Sequence, residues 1–191
     1  GIILGAICPV ALAVAFTKLR SKCVSKAYQT IAMLPYFISW IIVSYIVASF
    51  FDYKFGALNH LMKNLGREPI DWYSEIKVWP FLLVFLNLWK GLGYNAVVDI
   101  AAIAGIDASL YEAAAIDGAT SHQQTWYITL PQLSNIIAIM LIMSIGGLIT
   151  SNFDLFYAVP KESGALFPVT NVINTFVYRS LKINNDIGMS S

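Results

Sequence analysis

The stretch ITLPQLSNIIAIMLIMSIGGLI, residues 128–149, decides the class of fold. It lies within a longer segment, residues 119–153, that contains no Asp, Glu, Lys or Arg. A helix that crosses the hydrocarbon core of a bilayer needs about 20 mostly apolar residues. The stretch therefore predicts a membrane-spanning helix.

Three further apolar stretches, near residues 1–17, 27–51 and 78–98, predict three more spans. Hydrophobic residues make up 58% of the chain and charged residues 12%, with a mean hydropathy of +0.66. Soluble domains carry about 25% charged residues, so these values exclude a disordered chain, a coiled coil and almost any soluble enzyme domain. A net charge of +1 offers no basic face for nucleic acid. The sequence predicts an all-α polytopic membrane helical bundle, a single transmembrane domain over residues 1–191 embedded in the lipid bilayer.

The turn between the first two predicted spans is basic and sets the orientation. It contains Lys18, Arg20, Lys22 and Lys26, and no acid. Loops rich in Lys and Arg stay in the cytoplasm. The predicted cytoplasmic loop is therefore 99–127, and the predicted external loops are 52–77 and 150–185.

The cytoplasmic loop contains the sequence DASLYEAAAIDG, residues 107–118. Asp107 is a good N-cap for a short Ala-rich helix, and Gly118 is a natural helix stop. Ser121 to Gln124 fits a capping box that opens a second short helix, with Pro131 near the start of the fourth span. We expect two short helices at the membrane surface, joined by a glycine turn.

No Lys or Arg occurs between Lys90 and Lys161, whereas five acids do: Asp99, Asp107, Glu112, Asp117 and Asp154. Either another subunit supplies basic partners for these carboxylates, or they are simply solvated. On charge alone, solvation is favoured.

Residues 112–131 match every fixed position of EAA-x3-G-x9-I-x-L-P, the EAA signature of bacterial ABC-importer permeases. LPYFISW (34–40), LYEAAAIDGA (110–119), SIGGL (144–148) and SNFD (151–154) resemble the carbohydrate-uptake branch, of the polysaccharide or complex-oligosaccharide type. The resemblance implies a multi-pass permease domain of the binding-protein-dependent type in the bacterial cytoplasmic membrane. It also implies that the chain is truncated at both ends, lacking an N-terminal span and most of a final span after Asn185.

The resemblance further implies a transport subunit rather than an enzyme. Its EAA helix would be a coupling helix seated on an ATPase, with contacts from Glu112, Ala113, Ala114 and Gly118, and with the helix opening at Ser121 completing the seat. Two ABC ATPase subunits would bind ATP and Mg, so this chain would hold no cofactor. A second permease subunit, a different chain, would form the other half of the pathway, and an extracytoplasmic solute-binding protein would deliver the oligosaccharide.

Six residues in and after the third and fourth spans are candidates for the substrate pathway, since sugar sites combine aromatic faces with amide and hydroxyl groups. They are Asn87, Gly91, Tyr94, Ser144, Gly147 and Asn152. Helix–helix packing also favours Gly, Ser and Asn, and explains these residues equally well.

Two other classes of function would need different sequence features. An ion-coupled secondary transporter would need charges deep within the spans, and Lys90 is the one candidate, although near a helix end it would more readily reach toward the interface. A membrane-embedded metal enzyme would need a ligand pattern around Asp99, Asp107 and Asp117, and no His pattern accompanies them. No metal site and no catalytic residue are predicted.

Overall fold

The computed structural model describes residues 1–19, 21–149 and 152–182, and gives the backbone alone for residues 148 and 149. Within these ranges the regular structure is helical and no strand occurs. The α-helices are α1 (Ile2–Thr17), α2 (Lys22–Phe37), α3 (Trp40–Phe51), α4 (Ala57–Asn64), α5 (Trp79–Ala104), α6 (Ala108–Ile116), α7 (Ser121–Gln124), α8 (Leu130–Ile149), α9 (Phe153–Ala158), α10 (Phe167–Thr170) and α11 (Ile173–Lys182). A π-helical turn, Thr125–Thr129, connects α7 to α8, and a 3-10 turn, Gly164–Leu166, precedes α10.

Two helices of the described residues are long and apolar enough to cross a membrane: α5, and the continuous helix Ser121–Gly147. Helix α1 is apolar but has only 16 residues. Helices α2 and α3 reach the required length and hydropathy only when they are counted together as one broken span. The all-α class predicted from composition is confirmed.

The stretch 27–51 is not the single helix that we predicted. The helix is interrupted at residues 38 and 39, where Ser39 takes an extended conformation with φ −67° and ψ 152°. The Ser39 hydroxyl accepts a hydrogen bond from the backbone N–H of Ile42 at 3.3 Å, and so acts as the N-cap of α3. An N-cap residue has non-helical backbone angles, so the same residue that starts α3 separates it from α2.

The predicted loop 99–127 is also more helical than expected. Helix α5 continues through Ala104, because the first helix breaker after residue 98 is Gly105. The second short helix is not separate, since α7 runs through the π turn into α8. The ring of Pro131 would clash with the carbonyl of residue 127 in a regular α-helix, and a π turn placed just before it provides room.

The two predicted external loops contain helices of their own. Helix α4 lies within 52–77, and α9, α10 and α11 lie within the predicted loop 150–185. Residues 150, 151 and 183–185, the predicted final span after Asn185, and Arg20 of the basic turn lie outside the described residues.

The chain forms two compact units, of which the first comprises residues 1–37 and 88–146. In it, the Ser25 hydroxyl donates to the carbonyl of Phe16 at 2.9 Å and joins the start of α2 to the end of α1. Helices α2 and α5 meet at backbone distance, because a Cβ added at Gly93 would overlap the carbonyl of Ala32. This close approach fixes α5 against α2.

The second unit comprises residues 38–87 and the chain from 147 onward. Its central polar group is Asn59, which is only 1% exposed. The Asn59 amide donates to the carbonyl of Ile70 at 2.8 Å, and its oxygen accepts from the Ile70 N–H at 3.0 Å and from Trp72 Nε1 at 3.1 Å. The apolar core of this unit is formed by buried side chains that include Val43, Val47, Trp79, Leu83, Leu155, Val159 and Leu166. The stretch 52–77 is thus ordered by its own hydrogen bonds.

Candidate functional site

Helix α6, which carries the EAA residues, has well-defined ends. The Asp107 carboxylate accepts a hydrogen bond from the N–H of Ser109 at 2.9 Å, and this bond lowers the pKa of Asp107. Gly118 follows the helix with φ +79°, a left-handed conformation that glycine adopts without cost. The N–H groups of Gly118 and Ala119 donate to the carbonyls of Ala115 and Ala114 at 3.1 and 2.8 Å, which is a Schellman motif. The predicted cap and stop of this helix are confirmed.

None of the nine residues of α6 is buried. Glu112 and Ala113 are exposed, Ala114 is half-buried, and Ile116 is 87% exposed. The Glu112 carboxylate forms no hydrogen bond or ion pair with any residue that the structure describes. An isolated helix this short is marginal in water, and most helices are stabilised by packing an apolar face. Helix α6 therefore presents a surface suited to packing against another protein.

Among the described residues, a side-chain hydrogen bond joins α6 to the π turn that precedes α8. The hydroxyls of Tyr111 and Thr129 lie 3.0 Å apart, and Thr129 is buried in the π turn just before α8. Sequence reasoning missed this pair, because no local pattern relates residues separated by 18 positions. This hydrogen bond links α6 to the turn that precedes α8.

The cap of the next helix is Thr120, not Ser121 as predicted. The Thr120 hydroxyl accepts from the N–H of Gln123 at 3.3 Å, and the Gln123 side-chain oxygen accepts from the N–H of Thr120 at 2.8 Å. Both Thr120–Gln123 and Ser121–Gln124 fit the capping-box pattern, and the structure uses the first. Ser121 is the exposed first residue of α7.

The predicted pathway residues fall into two groups along the chain: three lie on α5, and three lie at the end of α8 and the start of α9. Gly91 and Tyr94 lie within one turn of α5, and the Tyr94 ring stacks on Tyr36 with centroids 4.7 Å apart. Asn87 is exposed one turn earlier in the same helix, and Gly147 is exposed near the end of α8.

The remaining two pathway residues bond locally. The Ser144 hydroxyl donates to the Met140 carbonyl of its own helix at 2.7 Å, and Asn152 caps α9 by accepting from the N–H of Leu155 at 3.3 Å. The polar groups of Ser144 and Asn152 thus bond within their own segments of the chain. Gly91 and Tyr94, by contrast, lie next to each other on α5.

Lys90 does not lie near an end of its own helix, contrary to the favoured prediction. It lies eleven residues after Trp79 and fourteen before Ala104, in the interior of α5. Its ammonium donates to the carbonyl of Tyr36 at 2.7 Å and lies 5.5 Å from the centroid of the Tyr36 ring. Helix α2 ends one residue later, so Lys90 satisfies one of the carbonyls that a helix end leaves without an intrahelical partner.

The acids of the loop region occupy different environments. Asp99 is 1% exposed, and neither carboxylate oxygen has a hydrogen-bond partner among the described residues. Asp107 and Asp117 flank the two ends of α6. Among all residues that the structure describes, no three His, Cys, Asp or Glu side chains are arranged to hold a metal ion.

The fold defines a class: a helical membrane component with a short, unburied helix between two long apolar helices. Residues 1–179 match the family described as the binding-protein-dependent transport system inner membrane component. The chain belongs to this family of inner-membrane transport permeases, and the resemblance read from the EAA signature is confirmed.

Two curated proteins of Bacillus subtilis are similar to this chain over most of its length. Protein LplB of Bacillus subtilis (strain 168) is 31% identical over 170 residues, which cover 89% of this chain and 53% of LplB. The polygalacturonan/rhamnogalacturonan transport system permease protein YteP of the same strain is 30% identical, with 89% and 52% covered. The chain thus spans about half the length of these curated relatives.

A solved structure shows the same architecture. A chain of the crystal structure of a bacterial alginate ABC transporter, in complex with an alginate pentasaccharide-bound periplasmic protein, superposes with a TM-score of 0.88. The two chains are 29% identical, and the match covers 99% of this chain and 65% of the other.

Proposed function

We propose that this chain forms part of the transmembrane pathway of an ATP-driven ABC importer, and that α6 is its coupling helix. The observation that carries the proposal is that α6 buries none of its own residues although both of its ends are fixed. A short helix with defined ends and no buried face needs a partner surface. Glu112, Ala113, Ala114 and Gly118 would contact an ATPase, and α7, which begins at Ser121, would flank that contact.

The coupling step follows from how α6 is attached. The ATPases bind ATP and Mg, and their closure displaces α6. The hydrogen bond between Tyr111 and Thr129 passes the displacement to the π turn and α8, and the short connection from Ala104 to Asp107 passes it to α5. Both helices are apolar enough to cross the membrane, so a movement at the cytoplasmic side changes the pathway itself.

The remaining parts of the proposal concern the assembly. A second permease subunit, a different chain, completes the pathway, and an extracytoplasmic solute-binding protein delivers an oligosaccharide or polysaccharide fragment. The subunit is a multi-pass protein of the bacterial cytoplasmic membrane, with its basic turn at 18–26 inside. Family membership and the named functions of YteP and of the alginate transporter support this assembly.

The test is a charge reversal in the full-length protein, purified gently from its native host. Glu112→Lys should reduce the amount of ATPase that co-purifies by roughly tenfold or more, because it replaces the carboxylate that would pair with basic groups of the ATPase by a charge that those groups would repel. Glu68→Lys is the matched control: Glu68 is equally exposed but lies in the predicted external stretch, and its reversal should leave the complex intact.

Two results would contradict the proposal. One is equal recovery of ATPase with wild-type protein and with Glu112→Lys. The other is uptake by reconstituted protein that follows an ion gradient and needs no ATP, which would make the chain an ion-coupled secondary transporter.

A further inference from the structure

The chain turns sharply where α3 ends. Residues 27–51 contain no charged side chain, and Asp52 is the first one that follows. A charged side chain is costly in hydrocarbon, so the chain leaves the hydrocarbon core by this residue. The Asp52 carboxylate accepts hydrogen bonds from the N–H groups of Lys54 and Phe55, both at 2.9 Å. A Cβ added at Gly56 would overlap the Asp52 carbonyl, so α4, which begins at the next residue, starts close to the membrane surface.

One face of α4 is held against the end of α3. Asn59 is the buried residue of this face, and its amide donates to the carbonyl of Tyr53 at 3.2 Å. Trp72, whose Nε1 donates to the Asn59 oxygen, meets the ring of Phe51 edge to face, with centroids 5.6 Å apart. Phe51 is the last residue of α3. These contacts tie α4 to the point where the chain leaves the hydrocarbon core.

The opposite face of α4 is apolar and uncovered. Leu61 lies two residues after Asn59, which is about 200° around the helix, and Leu65 follows one turn later. Leu61 is 55% exposed, Leu65 is 68% exposed, and Phe55 just before the helix is 81% exposed. Helix α3, to which this face is tied, also exposes apolar rings such as that of Tyr45. The apolar surface thus continues from α3 onto α4.

The charges around this face are of one sign. Between Asp52 and Glu68 the chain contains three Lys or Arg residues and no acid. Lys54 directly precedes the exposed Phe55, and Arg67 follows two residues after Leu65, so exposed cations flank the apolar residues at both ends. The Arg67 side chain forms no hydrogen bond or ion pair with any residue that the structure describes. Phosphate groups are partners that such cations fit.

We propose that α4 is an interfacial anchor: Phe55, Leu61 and Leu65 enter the surface of the bilayer, and Lys54 and Arg67 bind phosphate groups of phospholipids there. Helices with Phe and Leu on one side and basic residues beside them lie in the plane of the membrane surface in this way. The inference needs only that the chain belongs to a family of inner-membrane components, and it does not rest on the proposed coupling to an ATPase.

The first test measures the depth of α4 in the bilayer. A nitroxide is attached to Leu61→Cys, as the single cysteine of the full-length protein, in the assembled complex in lipid nanodiscs without solute-binding protein. Oxygen concentrates in lipid and a nickel chelate stays in water, so collisions with each report the position of the label. We expect collisions with oxygen, exclusion of nickel and a depth of about 5–10 Å. Leu65→Cys should give the same result, whereas a label on the control Glu68→Cys should collide with nickel.

A second test concerns the cations. The double variant Lys54→Glu with Arg67→Glu should move the label at residue 61 toward water, because carboxylates are repelled by lipid phosphates. Lys63→Glu is the matched control, since Lys63 is also exposed but lies about 200° from Leu61 around the helix. This control should leave the depth unchanged. Equal depths in the wild type and the double variant would remove lipid phosphate as the partner of the two cations.

The remaining outcomes separate lipid from other partners. Collisions of both labels with nickel would place the face of α4 in water and overturn the anchor. Exclusion of both oxygen and nickel would show that protein covers the face, as a second permease subunit would. A label that becomes immobile only when solute-binding protein is added would assign the face to that protein. Either of these two results overturns the proposal of a lipid partner.

Discussion

At the scale of single residues, two glycines are required for different reasons. Gly118 has a left-handed backbone conformation, and the space around it is open. A side chain at this position would therefore strain the backbone but would not clash with a neighbouring atom. Gly93 has no such conformation, but its missing Cβ lets α5 approach the carbonyl of Ala32. The stability of the first unit is thus more sensitive to bulk at Gly93, and the end of α6 is more sensitive to backbone strain at Gly118.

Gly93→Ala should destabilise the protein by about 1–3 kcal/mol, the range typical of overpacking, because backbone atoms of α2 cannot move aside as a side chain can. Gly91→Ala is the matched control for stability, since the space there is open. Thermal unfolding of the purified complexes measures both. Equal unfolding temperatures for the two variants would show that α2 and α5 are not in backbone contact.

Substitution of Asp99, unlike that of Gly93, should not lower the stability of the protein. A buried carboxylate without partners costs more free energy than a buried amide of the same shape. Asp99→Asn should therefore leave the unfolding temperature unchanged or raise it, whereas Asp107→Asn, at an exposed cap, should not raise it. A clear loss of stability in Asp99→Asn would mean that a basic group pairs with this carboxylate in the assembled transporter.

At the scale of elements, α6 is positioned by its two ends and by one hydrogen bond, and not by a core. Tyr111→Phe removes only the hydroxyl that contacts Thr129, a loss of about 1 kcal/mol. We expect this variant to assemble normally but to hydrolyse more ATP for each sugar transported, because movement of α6 is passed less completely to α8. Tyr127→Phe, at a 79% exposed ring, is the control and should transport with unchanged efficiency. Identical ratios in the two variants would exclude this contact from coupling.

The limits of sequence reasoning are clearest at the same scale. Long apolar stretches predicted α5 and α8, because the bilayer imposes a minimum length and hydropathy on a spanning helix. The interruption at Ser39 was not predicted, because one serine hardly changes the hydropathy of an apolar stretch. Asp107 and Gly118 predicted the ends of α6, because helix caps depend on local chemistry. The contacts of Tyr111 with Thr129 and of Lys90 with Tyr36 are tertiary, and no spacing rule reveals them.

At the scale of the whole molecule, the basic turn between α1 and α2 makes the orientation testable. Cys23 is exposed in the first turn of α2, directly after this basic turn. In a full-length variant with Cys23 as its one cysteine, an impermeant thiol reagent should label inside-out vesicles and not right-side-out vesicles. A cysteine placed instead at Glu68 should show the reverse. Labelling of both positions from one side would contradict the predicted topology.

The unburied surface of α6 has a consequence for the life of the protein in the cell. In the proposed importer, a newly inserted subunit that has not yet bound its ATPases would display Ile116, which is 87% exposed, on a helix that buries none of its own residues. Exposed apolar side chains on marginally stable segments are what chaperones and proteases recognise. If the proposed docking is correct, copies made in excess of the ATPases should be degraded faster than assembled ones, and quality control would match the number of permease subunits to the number of ATPases.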